Sequence, residues 1–302
     1  MSNPPHISIL EQEMASYFSS LHLKVFVDGT IGAGGHAKRI LEEHPEIDFF
    51  LGLDQDPEAL AIAKERLSPW KDKVHLVHSN FAYFDTYLQK HKISSVDGFF
   101  FDLGVSSMQL DLDYKGFSFL KEGPLDMRMD PSNPLTAAEV IATRSEKELG
   151  RIFQEYGEEP RWKRAAQAIV EERKKKPITT TTQLSNILVN ELKTKIRGRL
   201  HPATLVFQAL RVYVNQEIEV LEQALTKVVS WLNPEGIVGV ISFHSFEDRL
   251  VKNLFRDEAR KTKEGHEKRL TLLTKKPLVP TLQEIRMNPR ARSAKLRFAQ
   301  KL

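Results

Sequence analysis

The stretch 24–37, KVFVDGTIGAGGHA, leaves a chain few ways to fold. Val25, Phe26 and Val27 make a short β-branched and aromatic run, the pattern of a buried parallel strand. Asp28 closes that run. Gly29, Gly32, Gly34 and Gly35 follow, and from His36 the spacing turns helical through Ile40 and Leu41. Strand, glycine turn and helix together form the ligand-binding corner of an open α/β sheet. The glycines let backbone approach a ligand, and the free N–H groups of the helix start point at it. Gly32-x-Gly34-x-x-Ala37 would also pass as a dinucleotide fingerprint, and a tight βα turn without a ligand has the same local pattern.

The corner is the first of several alternations. A second strand over 48–53 ends at Asp54, and Asp56-Pro57-Glu58 opens a helix over 59–67, with proline in its first turn and acids at its positive end. A third strand covers 74–78, with Phe81 just beyond it. After a helix over 84–90, a fourth strand over 96–101 ends at Asp102. This alternation specifies βαβ units and a mostly parallel, doubly wound sheet. An N-terminal helix is expected over 6–21. Residues 108–135 lack a period and read as a long ordered loop. Residues 136–200 carry helical patterns over 137–142, 146–156, 162–174 and 181–191, without a strand. The expected organisation is therefore an α/β domain from 1–107 and 201–302, interrupted by an inserted loop and helical subdomain at 108–200. One long helix is expected over 205–232, stopped by Asn233-Pro234-Glu235-Gly236. A strand over 237–243, a helix over 247–255 and a half-exposed last strand over 294–299 complete the pattern.

The net charge of +4 is mild but unevenly spread. Residues 251–302 hold 15 Lys/Arg against 5 Asp/Glu, and residues 161–200 hold 11 against 3, so the rest of the chain carries −14. Two basic segments on an acidic body favour a polyanionic partner, with nucleic acid the first candidate. The chain has no cysteine, which removes disulfides and thiolate chemistry and fits a reducing, cytoplasmic setting. The N-terminus lacks the features of a signal peptide, and no apolar run approaches a membrane span. No feature specifies an oligomeric state.

Ligands of open α/β sheets bind beyond the carboxyl ends of the strands. Asp28, Asp54, Phe81, Asp102 and Ser242 collect there. Three acids in one crevice repel one another unless a ligand brings positive charge and hydroxyls. Asp54 lies 22 residues after Gly32, the right offset for accepting hydrogen bonds from a ribose diol. That offset suits NAD and S-adenosylmethionine equally. Three features favour the second. Asp28 would repel a pyrophosphate and attract a methionine ammonium. No Arg or Lys lies in the glycine turn. Phe81 offers a face for adenine, although taken alone it reads as core packing.

The motifs D-G-T-I-G-A-G-G-H (28–36), D-Q-D-P (54–57), F-D-L-G-V-S-S-M-Q-L-D (101–111), G-P-L-D-M-R-M-D (123–130), H-P-A-T (201–204), I-S-F-H-S-F-E-D-R (241–249) and N-P-R-A-R-S-A-K-L-R (288–297) run along nearly the whole chain. With them the sequence resembles the bacterial 16S ribosomal RNA cytosine-N4 methyltransferase family, known as RsmH or MraW. The resemblance implies a class I, Rossmann-like methyltransferase fold with an inserted helical domain. It implies methyl transfer from S-adenosyl-L-methionine to the N4 amine of a cytidine in the decoding region of 16S rRNA. It also implies cofactor contacts at Gly34, Gly35, His36, Asp54, Phe81, Asp102 and Gln109. The reading of the strand ends adds Asp28 and Gly32 to these.

An exocyclic amine needs acceptors for its hydrogens and alignment with the methyl. Amine methyltransferases often supply these from an (Asp/Ser/Asn)-Pro-Pro-aromatic turn. Here the turn is Asp102-Leu103-Gly104-Val105-Ser106-Ser107, with neither proline nor aromatic ring. Stacking on the base therefore falls to Phe243 or to Phe117 and Phe119. Asp102, Ser242 and His244 are the catalytic candidates, with His244 either a proton acceptor or a residue that orients its loop. Asp248 and Arg249 are expected to pair. No metal is expected, because direct methyl transfer needs none. Arg290, Arg292, Lys295 and Arg297, with the helical insert, suit RNA phosphates, and the target base must leave its stack. The expected partner is 16S rRNA within the small ribosomal subunit. Two rival readings remain: an NAD-dependent oxidoreductase, and a non-catalytic RNA-binding or ribosome-assembly factor with a retained cofactor pocket.

Overall fold

The structure is a computed structural model that describes residues 8–192, 200–260 and 267–302. Parts of both basic stretches (193–199 and 261–266) and the start of the expected first helix lie outside the described residues. The chain divides into two compact units, Met1–Gly104 with Ile218–Leu302, and Val105–Glu217.

The first unit is built on seven strands: β1 (Val25–Asp28), β2 (Phe49–Asp54), β3 (Val74–His78), β4 (Val96–Asp102), β5 (Leu232–Ser242), β6 (Leu270–Leu272) and β7 (Lys295–Lys301). Their order is β3-β2-β1-β4-β5-β7-β6. The first five are parallel, and β7 runs antiparallel to both its neighbours. The doubly wound, mostly parallel sheet expected from the alternation is thus borne out. Its helices are α1 (Glu11–Phe18), α2 (Gly35–Glu43), α3 (Pro57–Arg66) and α4 (Phe84–Lys90), and, after the second unit, α11 (Glu217–Trp231), α12 (Ser245–Glu258) and α13 (Leu282–Met287).

Alternate side chains of each strand feed two cores. Val27, Leu51, Phe99, Phe101, Val238 and Val240 join one with Leu225 and Val228 of α11 and Val251 and Phe255 of α12. Phe26, Phe50, Phe100, Ile241, Leu296 and Phe298 join the other with Met14 and Phe18 of α1 and Ile40 of α2. Both faces are covered, so these strands read as continuous apolar runs. Gly29 is required by this packing: a Cβ there would overlap the Phe101 ring.

The second unit is helical, with α5 (Ser107–Asp111), α6 (Ala137–Thr143), α7 (Glu146–Glu155), α8 (Trp162–Lys175), α9 (Thr181–Glu191) and α10 (Thr204–Asn215). Thr136, Ser145 and Thr180 cap α6, α7 and α9, each in a reciprocal pair with Glu139, Glu148 and Gln183. Its core joins Leu149, Phe153, Ile169 and Leu188 with Val206 and Leu210 of α10.

Several expectations change. The long helix over 205–232 is two helices, broken where Gln216 adopts a left-handed conformation at φ 50. No glycine or proline announces the break, and the apolar period runs through it. The first half, α10, packs in the helical unit. Unit boundaries therefore fall at 104/105 and 217/218, where 107/108 and 200/201 were expected. Asn215 explains the attachment: its side chain accepts from Met129 N at 2.8 Å and donates to the Met127 carbonyl at 2.8 Å. The loop over 108–135 contains α5. Asn233-Pro234-Glu235-Gly236 does not precede a strand but lies inside β5, where a register shift against β4 accommodates it. Finally, β7 is an internal strand, not a half-exposed one. Among the described residues no helix is long and apolar enough to cross a membrane.

Candidate functional site

The chain winds β1 to β3 toward one edge of the sheet and β4 and β5 toward the other. The crevice of such a sheet opens where the order reverses, between β1 and β4. Asp28 ends β1 and Asp102 ends β4. Between β1 and α2 the turn uses Gly32 at φ 49 and Gly34 at φ 78, conformations that strain any other side chain. Gly35 begins α2, with His36 behind it.

Asp54, at the end of β2, receives the Gly32 N–H on Oδ2 and the Asp56 N–H on Oδ1, both at 2.8 Å. The carboxylate thereby shapes the glycine turn itself. Asp56 caps α3 by accepting from Glu58 N. Asp28 accepts the Thr30 N–H at 3.0 Å, and Thr30 Oγ1 accepts the Asp102 N–H at 2.6 Å. Thr30, for which the sequence carries no motif signal of its own, thus links the two acids.

All three acids resist ionisation. Burial pushes the Asp28 carboxyl up to about 7, against a lowering hydrogen bond from Thr30 and with added repulsion from Asp54. Burial likewise raises Asp54 to about 6, opposed by the N–H groups of Asp56 and Gly32. Asp102 rises to about 8 through burial, then repulsion from Asp28 and Glu247. A cation brought into this crevice would relieve both burial and repulsion. Asp102 Oδ1 is buried without a hydrogen-bond partner among the described residues. A buried acceptor of this kind fits a ligand N–H. His36 is buried, its Nε2 bonded to the Ile9 carbonyl at 2.9 Å and its Nδ1 lying 3.7 Å from Asp102 Oδ2. Phe81 follows β3 and packs edge-on against Phe101 at 5.5 Å. Lys227 of α11 pins that turn by donating to the Ala82 carbonyl and Asp85, both at 2.9 Å.

The remaining candidates are placed differently. Ser242 is buried and turned toward β7, its hydroxyl donating to the Lys295 carbonyl at 3.4 Å. His244 is the N-cap of α12. Its Nδ1 accepts from Glu247 N at 3.4 Å, and its Nε2 lies 3.0 Å from Glu247 Oε1. Glu247 Oε2 in turn accepts from Phe243 N at 2.9 Å. The cap fits a residue that orients its loop, while Nε2 is buried without a hydrogen-bond partner among the described residues. The spacing of His244 to Glu247 is that of a capping box, a signal readable in the sequence. Gln109 belongs to the helical unit, where it forms a capping box with Ser106 at the start of α5. Phe117 is buried in that unit's core, and Phe119 stacks on His201 at 4.6 Å. Phe243 is half-buried against the α1–α2 side core.

Of the basic residues, Arg290 and Arg292 are exposed on the turn after α13. Arg297 is only 7% exposed and donates to Asp248 Oδ1 at 2.7 Å, while Lys295 reaches Asp248 Oδ2 at 3.2 Å. Burial opposes ionisation of Asp248, but these two cations outweigh it and hold the carboxyl below its ordinary value. The expected Asp248–Arg249 pair is replaced by this buried one. The strand face assigned to solvent is covered by α12, and Arg297 is withdrawn from phosphate contact.

The sheet order with its reversed β7, the glycine turn after β1 and the carboxylates ending β1, β2 and β4 define a class I, Rossmann-like methyltransferase fold. The model of the MraW methylase family matches residues 3–302, and the chain belongs to that family. It is 51% identical over 316 residues to the ribosomal RNA small subunit methyltransferase H of Protochlamydia amoebophila, covering 99% of this chain and 98% of that protein. The proteins of the same name from Chlamydia caviae (48% over 300 residues, 99% and 98% covered) and Carboxydothermus hydrogenoformans (47% over 306 residues, 98% of each) are similar throughout.

Proposed function

We propose that this protein methylates small-subunit ribosomal RNA, using S-adenosyl-L-methionine, at the N4 amine of a cytidine in the decoding region. The observation that carries the reading is the convergence of Asp28, Asp54 and Asp102, all pushed toward neutrality, around one glycine turn. Such a site is suited to a ligand bearing an ammonium and a ribose diol, and not to a pyrophosphate, which disfavours NAD. The names of the relatives supply the RNA class. When bound, the cofactor supplies an electrophilic sulfonium methyl.

The residues of the chain do the rest. Asp54 is the acceptor for a diol, already oriented by Gly32 and Asp56. Gly34 and Gly35 let backbone approach the ligand, and Phe81 borders the adenine side. Asp102 holds an N–H of the target amine on Oδ1, which turns the nitrogen lone pair outward. With its carboxyl near 8 it is also matched to accept the proton that the methylated amine releases. The Gln109 contact and the substrate-recognition role of the helical unit belong to the same reading, as does a cytoplasmic site of action on the small ribosomal subunit.

The test is labelled-methyl transfer to small subunits from cells lacking this gene, followed by mass mapping of the RNA. Label on the N4 of one decoding-region cytidine is expected. Cofactor binding without incorporation would instead favour an assembly factor. For RNA contacts, joint replacement of Arg290 and Arg292 by Ala should leave stability within about 0.5 kcal/mol. It should also flatten the salt dependence of RNA binding by a slope of about 1.5. Arg297→Ala should behave oppositely. It removes the buried partner of Asp248 and leaves only the half-exposed Lys295, and a urea titration should show a loss of about 3 kcal/mol. A wild-type salt slope in the double variant would remove those arginines from the interface.

A further inference from the structure

The segment preceding α1 is tied at both ends to distant parts of the first unit. Leu10 is 1% exposed and left-handed, at φ 53 and ψ 34, a conformation unusual for a leucine. Its N–H donates to Glu284 Oε1 of α13 at 2.8 Å, across 274 positions of sequence. Its carbonyl accepts from Met14 N at 2.8 Å and so starts α1. One residue earlier, the Ile9 carbonyl accepts from His36 Nε2 at 2.9 Å. One residue earlier again, buried Ser8 lies so close over Gly35 that a Cβ there would overlap its hydroxyl. Three consecutive residues therefore bridge from α13 to the Gly35-His36 end of the glycine turn.

The chemistry of His36 follows from this bridge. A carbonyl can only accept, so Nε2 must carry the hydrogen. In the neutral ring Nδ1 is then the acceptor, and it is the nitrogen that lies 3.7 Å from Asp102 Oδ2. The tautomer presented to Asp102 thus depends on where the Ile9 carbonyl points. That in turn depends on the strained Leu10, whose N–H is held by Glu284.

We propose that Glu284 is a positioning residue for the cofactor turn, acting through Leu10 and Ile9 on the orientation and tautomer of His36. The inference rests on the reading of that turn as the S-adenosylmethionine site. Without the Glu284 carboxylate, the buried Leu10 N–H loses its acceptor and the left-handed turn relaxes. The Ile9 carbonyl then leaves His36, although Glu284 and Leu10 both lie outside the glycine turn. The same helix runs directly into the turn that carries Arg290 and Arg292, so the cofactor corner and that basic turn share one anchor.

The experiment compares wild-type protein with Glu284→Ala and Glu284→Gln. Titration calorimetry with S-adenosylhomocysteine is expected to show about a tenfold weaker Kd for Glu284→Ala. Glu284→Gln, whose side-chain carbonyl still accepts from Leu10, should restore it. In parallel, the 15N shifts of the His36 ring should report the Nε2–H tautomer in wild type and Glu284→Gln, and a mixture in Glu284→Ala. A Glu284→Ala variant with the wild-type Kd and wild-type His36 shifts overturns the proposal. So does a glutamine variant that behaves like the alanine one, because the hydrogen bond would then not be the operative link. If wild type itself fails to bind S-adenosylhomocysteine, the cofactor reading fails instead, and the His36 shifts still decide whether Glu284 sets the tautomer.

Discussion

Asp102→Asn is expected to lower the rate of methyl transfer by about 100-fold or more while the protein stays folded. Asparagine keeps the shape and one acceptor oxygen, but it cannot carry charge or take up a proton. The loss should fall on kcat more than on cofactor affinity, because Asp28 and Asp54 remain to hold the ligand. The same substitution should raise thermal stability at pH 8.5. Burial, Asp28 and Glu247 all oppose the ionised Asp102, so a neutral side chain there removes a repulsion that the folded state otherwise sustains. A variant that is more stable and nearly inactive is the outcome that separates a reacting group from a scaffold residue. Activity within a few-fold of wild type would take Asp102 out of the mechanism.

Between pH 6.5 and 8.5 the unliganded protein is expected to lose about 2–3 kcal/mol of stability. Asp28 and Asp102 ionise near 7 and 8 in the folded protein but near 4 in the unfolded chain. Over this window the folded state therefore binds more protons than the unfolded one, and stability falls as pH rises. Asp54, near 6, has already ionised through most of its range. Groups shifted downward do not cancel the effect. Burial and His91 lower His75, which is thus neutral in the folded protein above 6.5, and Asp248 and Glu46 act only in acid. Saturating S-adenosylhomocysteine should flatten the decline, because its ammonium favours the ionised carboxylates. Protons should be released on binding and should appear as a buffer-dependent heat. A decline that is the same with and without ligand would mean that the cation does not sit among these acids.

Much of the first unit was legible residue by residue. The runs over 25–28, 49–54 and 96–102 announce buried strands because a sheet covered on both faces demands uninterrupted apolar side chains, and the edge strand over 74–78 shows a half-buried run broken by His75 and His78. The acid at the end of each of three strands is equally local, and so is the helix cap at Asp56. A cap is a contact between residues two or three apart, so its sequence spacing already contains its geometry. The break at Gln216 escaped this logic. No local residue type marks it, and the residue before it, Asn215, is held by a loop more than eighty residues earlier.

Sequence alone therefore determined the doubly wound sheet, the glycine turn and the acids at its strand ends, because each is written in neighbouring residues. Tertiary structure decided what those groups do to one another. It drew the three acids to one crevice, Asp28 buried and Asp54 and Asp102 half-buried, and raised their affinity for protons. It spent His244 on a helix cap, and it turned Arg297 inward onto Asp248, 49 positions away. It also brought Glu284 to Leu10. Charge, burial and hydrogen-bond partnership depend on distance in space, and a linear pattern of residue types does not contain that distance.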